Sequence, residues 1–117
     1  MKKDSVQDLL PLTEAYFYIL VTLYRADAHG YAIMQDVEQM SNGRVKIGAG
    51  TLYTALSTLQ KKGLIDFAQE ADSADSRRKM YAITDKGRDV LKGEMVRLEE
   101  LLHNVRQAFD QTMGKEH

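Results

Sequence analysis

GAGTLYTALSTLQKKGLI, residues 48–65, is the stretch whose reading decides the fold. Leu52, Leu56 and Leu59 recur at i, i+4 and i+7 with Ala55 beside them, the spacing of one apolar helix face. The opposite side carries Thr51, Thr54, Ser57, Thr58 and Lys61, with Tyr53 on the first turn. This pattern predicts a helix from Gly50 to about Lys62, capped by Gly63. Small hydroxyls with few acids suit close approach to a groove.

Outward from this helix, turn and cap signals alternate with periodic segments. Upstream, Thr13 and Glu14 supply an N-cap hydroxyl and a first-turn acid for a helix from about Thr13 to Ala26. Its apolar residues, among them Tyr16, Phe17, Ile19, Leu20, Val21, Leu23 and Tyr24, cover nearly the whole circumference, so burial on most sides is expected. His29-Gly30-Tyr31 turns into a second helix that runs to about Met40 and ends at Ser41-Asn42-Gly43. Arg44-Val45-Lys46-Ile47 alternates polar with β-branched residues, the mark of a short strand. Downstream, a strand over Leu64-Ile65-Asp66-Phe67 should pair with Lys79-Met80-Tyr81-Ala82-Ile83 around the loop Asp72-Ser73-Ala74-Asp75-Ser76. Tyr81 reads as core.

Thr84-Asp85 then opens a last helix reaching about Met113. Leu91, Met95, Leu98, Leu102, Val105 and Phe109 follow one another at gaps of 4, 3, 4, 3 and 4. Such a heptad seam packs helix on helix, and its natural partner is a second copy of the chain. The order of elements describes a mainly α (α+β) fold. Residues 1–84 form a winged helix-turn-helix unit and residues 85–117 a C-terminal dimerisation helix. In that arrangement the third helix enters the major groove of double-stranded DNA, and the hairpin wing meets backbone or minor groove. The candidate DNA contacts are therefore Arg44, Lys46, Thr51, Tyr53, Thr54, Ser57, Thr58, Lys61, Arg77, Arg78 and Lys79. For Tyr53, a phosphate-bonding phenol and a packed core ring are equal alternatives. Tyr31 reads as structural, its hydroxyl tying the helix start to a neighbour.

Composition bounds the chemistry. The 117 residues carry 16 Lys and Arg against 17 Asp and Glu, a net charge of -1, so positive charge must be sorted to serve a polyanion. It is sorted. From Gln39 to Ile65 there are four bases and no acid, and from Asp66 to Ser76 four acids and no base, before Arg77, Arg78 and Lys79. With no cysteine, disulfides and thiolate metal sites are excluded, which fits a reducing cytoplasm. His29, His103 and His117 include no pair at the i, i+4 spacing of a helical metal site. Gly48-Ala49-Gly50 lacks the Gly-Lys-Ser/Thr of a phosphate loop, and no nucleophilic serine context occurs. No enzyme, cofactor, metal, membrane span or export signal is expected.

The chain also resembles a known family. Pro11-Leu12-Thr13, His29-Gly30-Tyr31, Gly48 to Tyr53, Lys62-Gly63-Leu64-Ile65 and Tyr81-Ala82-Ile83-Thr84-Asp85-Lys86-Gly87 look, in order and spacing, like PadR-type regulators over about residues 11–92. That resemblance implies a dimer joined through C-terminal helices that represses transcription and is often released by a small molecule or stress signal. Ala49 stands where many relatives have proline, and Ser76 and Met80 stand where a glycine and an aromatic residue are common. The rival reading is a winged-helix module that binds another protein, its bases merely solvating the surface. Steep salt dependence of DNA binding separates the two.

Overall fold

The computed structural model describes residues 5–68 and 79–115. Four helices, α1 (Glu14–Arg25), α2 (Gly30–Met40), α3 (Ala49–Lys61) and α4 (Asp85–Lys115), surround a small antiparallel sheet. Its strands are β1 (Ala28–His29), β2 (Ile65–Phe67) and β3 (Met80–Ile83), in the order β1-β3-β2. Ala28 pairs with Tyr81 on one edge of β3, and Ile65 and Phe67 pair with Ile83 and Tyr81 on the other. This is a winged helix-turn-helix with a long C-terminal helix.

The local signals act as their chemistry requires. Thr13 caps α1, its hydroxyl accepting from the Tyr16 amide at 3.1 Å. Leu52, Leu56 and Leu59 of α3 are buried against Ile33 and Val37 of α2 and Ile19, Leu20 and Leu23 of α1. Full burial of each leucine stabilises by about 1.5–3 kcal/mol. Leu64, Ile65, Tyr81 and Ile83 join this core from the sheet.

One expectation needs correction. Residues 44–47 form no strand, although Val45 and Ile47 do pack on the core while Arg44 and Lys46 stand exposed. The Val45 amide donates to the Ser41 hydroxyl at 2.9 Å, and that hydroxyl also reaches the Val45 carbonyl at 3.4 Å. The backbone of Val45 is thus satisfied by a side chain, and the free edge of β3 is taken by Ala28-His29, too short to show any alternation in sequence. Helix α1 is covered on most sides as expected, residues 15–23 being buried or half-buried, and of its named apolar residues only Tyr24 is exposed.

The first turns of α4 belong to the core. A Cβ at Gly87 would strike the Leu64 carbonyl and lie 2.7 Å from the Ile83 side chain, so only glycine allows this approach of helix to sheet. Val90 is fully buried one turn on. Next comes Glu94, 2% exposed, which sequence reading passed over. Its carboxylate accepts from Arg97 Nε at 2.7 Å and Nη2 at 3.0 Å, and from the Leu12 amide at 3.1 Å. An N-terminal segment is thereby fastened to α4.

The Arg97 hydrogen bond, helped by the Leu12 amide and opposed by burial, holds the Glu94 carboxyl below the usual carboxylate range. A lowered folded-state value means that the folded chain binds fewer protons than the unfolded one in acid. The stabilisation is therefore complete at neutral pH and is lost as pH falls from the ordinary carboxylate value through the lowered one. Glu94→Gln should unfold at lower urea concentration than wild type at neutral pH, and the gap should narrow on acidification. A gap independent of pH in paired urea titrations would remove the ion pair from the account.

Candidate nucleic-acid interface

The interface is built on the α2–α3 pair. Asn42 at φ 54° and Gly43 at φ 78° take the left-handed conformation, and the Gly43 amide closes α2 on the Glu38 carbonyl at 2.7 Å. An extended segment leads to Gly48, from which α3 starts with no side-chain cap and no acid in its first turn. Because the leucine face is buried, the opposite face is presented outward. Thr51, Tyr53, Thr54, Ser57 and Lys61 are exposed, and Thr58 is half-buried. Ala15 and Tyr16 of α1, with Ile47, Gly50, Thr51, Thr54 and Ala55, line a shallow groove of about 560 Å³ along this face.

The bases proposed from sequence divide into four groups. Lys46 and Lys61 are exposed and, among the described residues, meet no carboxylate. Arg44 is exposed but paired with Glu14 of α1 at 2.7 Å. Lys79 stands at the wing base with its Nζ 4.4 Å from the centre of the Phe67 ring, a cation–π contact. Arg77 and Arg78 lie outside the described residues, as does most of the acidic loop. Lys62, at the end of α3, accepts a hydrogen bond on its carbonyl from Lys86 Nζ at 3.0 Å.

Tyr53 is neither a fully packed core ring nor a free surface phenol. It is 38% exposed, yet a Cβ on Gly30 would lie only 2.5 Å from its hydroxyl oxygen, so the phenol rests on the start of α2 where glycine leaves room. Tyr81, 6% exposed as expected of a core residue, lies nearby, and burial and the neighbouring Tyr53 push its phenol up. Phe67 continues the aromatic strip, its ring 5.2 Å from that of Tyr81. Tyr31 is 66% exposed, its hydroxyl accepting from Gln35 one turn along α2.

On the other side, α4 presents the seam. Leu91 is half-buried, while Met95, Leu98, Leu102, Val105 and Phe109 are 39–66% exposed. Leu101 and Val96, which the heptad reading omitted, are also exposed. Leu91 and Met95 join Phe17, Val21 and Tyr24 of α1 in a groove of about 470 Å³, rimmed by Arg88, Asp89 and Lys92. Among the described residues no group of three His, Asp or Glu could hold a metal ion, and no helix is long and apolar enough to cross a membrane.

Known proteins share this design. A family model described as Transcriptional regulator PadR-like family matches residues 19–93. A transcriptional regulator from Clostridium thermocellum superposes with a TM-score of 0.66 at 26% identity, over 79% of this chain and 89% of that one. A PadR family transcription regulator from Clostridium difficile superposes with a TM-score of 0.65 at 25% identity, over 83% and 99%. The transcriptional regulator YqjI of Escherichia coli is 27% identical over 93 residues, 80% of this chain and 43% of that protein. The chain thus spans less than half the length of that relative, and 22% of an uncharacterised transposon protein of Streptomyces fradiae.

Because Thr54 and Ser57 are exposed, Thr54→Ala and Ser57→Ala should leave stability within about 0.5 kcal/mol of wild type. Their effect should fall instead on preference among duplex sequences. Wild-type preference in both variants would move base reading away from α3.

Proposed function

The chain belongs to the PadR-like family of transcriptional regulators, and from that premise we propose that it is a sequence-specific DNA-binding regulator acting as a homodimeric repressor on a palindromic operator. The observation that carries the reading is the outward face of α3, a row of hydroxyls free of acids and flanked by Lys46 and Lys61. Thr51, Thr54, Ser57 and Thr58 contact base edges. Hydroxyls discriminate modestly between bases, so DNA shape contributes to specificity. Lys46, Lys61, the Tyr53 phenol and the wing bases Arg77, Arg78 and Lys79 hold phosphates, which sets register without reading sequence.

In this reading residues 1–84 read DNA and residues 85–117 join two copies. The support for a dimer is the seam itself, since a row of large apolar side chains along one exposed helix is the surface of an interface. At about 1.5 Å per residue the 31-residue α4 is roughly 46 Å long and carries its last turns beyond the core. A small molecule seated between the copies would release the operator.

Selection of bound duplexes from a random pool tests the function. A two-fold symmetric consensus is expected; no enrichment, with binding insensitive to salt, would transfer the protein to the class of protein-binding winged helices. Leu98→Glu with Leu102→Glu should give monomers or insoluble protein. A wild type that sediments as a monomer at micromolar concentration would overturn the assignment of α4.

A further inference from the structure

Among the described bases of the candidate interface, Arg44 is the one paired with a carboxylate. Its Nη1 donates to both carboxylate oxygens of Glu14, at 2.7 and 2.9 Å, and its Nη2 to the Tyr18 hydroxyl at 3.4 Å. The two side chains are 60% and 61% exposed, so the pair stands in solvent rather than inside the core. Its position is what gives it meaning. Glu14 opens α1, and the next two residues, Ala15 and Tyr16, line the groove with Gly50, Thr51 and Thr54 of α3. A carboxylate therefore stands beside the face assigned to DNA, paired with a base from a segment, Gln39 to Ile65, that carries no acid of its own.

Two arrangements in a DNA complex follow from electrostatics. If Arg44 swings to a phosphate, Glu14 is left uncompensated near the polyanion and repels it. If the pair stays closed, the site presents no net charge and releases no counterion. The second arrangement keeps all three hydrogen bonds of the guanidinium and leaves no bare carboxylate. Glu14 is also the first-turn acid of α1, where its charge faces the positive end of the helix dipole.

We infer that Glu14 withholds Arg44 from the phosphate backbone: the two enter the DNA complex as a neutral clasp, and Lys46 and Lys61 carry the phosphate contacts beside α3. Glu14 thereby sets the affinity and salt sensitivity of the interface while touching no DNA. The inference rests on the DNA-binding reading of α3.

Salt titrations of binding to random-sequence duplex DNA test it, using wild type, Glu14→Gln and the double variant Glu14→Gln/Arg44→Ala, each checked for unchanged urea unfolding. Freeing Arg44 adds one phosphate contact, so the log–log salt slope of Glu14→Gln should steepen by about 0.9. A fourfold rise in salt then costs that variant about 3.5 times more affinity than it costs wild type. The double variant should return to the wild-type slope. A Glu14→Gln slope equal to wild type overturns the inference. So does a double-variant slope shallower than wild type by about 0.9, which would place Arg44 on a phosphate already. Wild-type binding without salt dependence would instead overturn the DNA-binding reading itself, a failure visible before any variant is measured.

Discussion

The Thr84 side chain joins the two working parts of the molecule. Its hydroxyl donates to the Gly63 carbonyl at 2.6 Å and accepts from the Gly87 amide at 3.0 Å, while its own amide donates to the Leu64 carbonyl at 3.0 Å. Gly63 and Leu64 follow the end of α3, and Gly87 lies in the first turn of α4. One threonine therefore caps the long helix and ties it to the turn that closes α3. Lys86 repeats the link by donating to the Lys62 carbonyl, and the bare Gly87 lets helix and turn come close enough for these bonds to form. The direction of α3 relative to α4 is set at this junction. In a dimer built along α4, the same junction would set the spacing of the two α3 helices.

A second fastening lies two turns further along α4. Glu94 is buried, paired with Arg97 and bonded to the Leu12 backbone. A buried carboxylate is costly unless its charge and lone pairs are met, and here both are. It fixes the N-terminal segment against the side of α4 adjoining the exposed seam. Beside it, Leu91 and Met95 of the seam line one groove with Phe17, Val21 and Tyr24 of α1.

Charge is distributed with the same economy. A chain of net charge -1 approaches a polyanion only through a locally basic surface. Here that surface is thinner than a count of bases implies. Arg44 is engaged by Glu14 and Lys79 leans on Phe67, which leaves Lys46 and Lys61 as the unpaired bases beside α3 among the described residues.

The sequence by itself determined the four helices, the β2–β3 pairing and the two faces of α3. Each of these is encoded locally, by a repeat of 3.6 or 2 residues bounded by caps such as Thr13, Gly63 and Thr84. It also marked the exposed stripe of α4, because a heptad pattern survives whether or not its partner is present. The tertiary structure alone decided which polar groups meet. Leu12 and Glu94 are 82 residues apart, Glu14 and Arg44 30 residues apart, and no periodicity relates them. The same holds for Ala28-His29, whose two residues become a strand because β3 has a free edge, and for Arg44 to Ile47, whose alternation is real but whose backbone is claimed by Ser41. Patterns along the chain state which face is apolar; only the packed chain brings a particular donor to a particular acceptor, since that depends on the relative placement of whole elements.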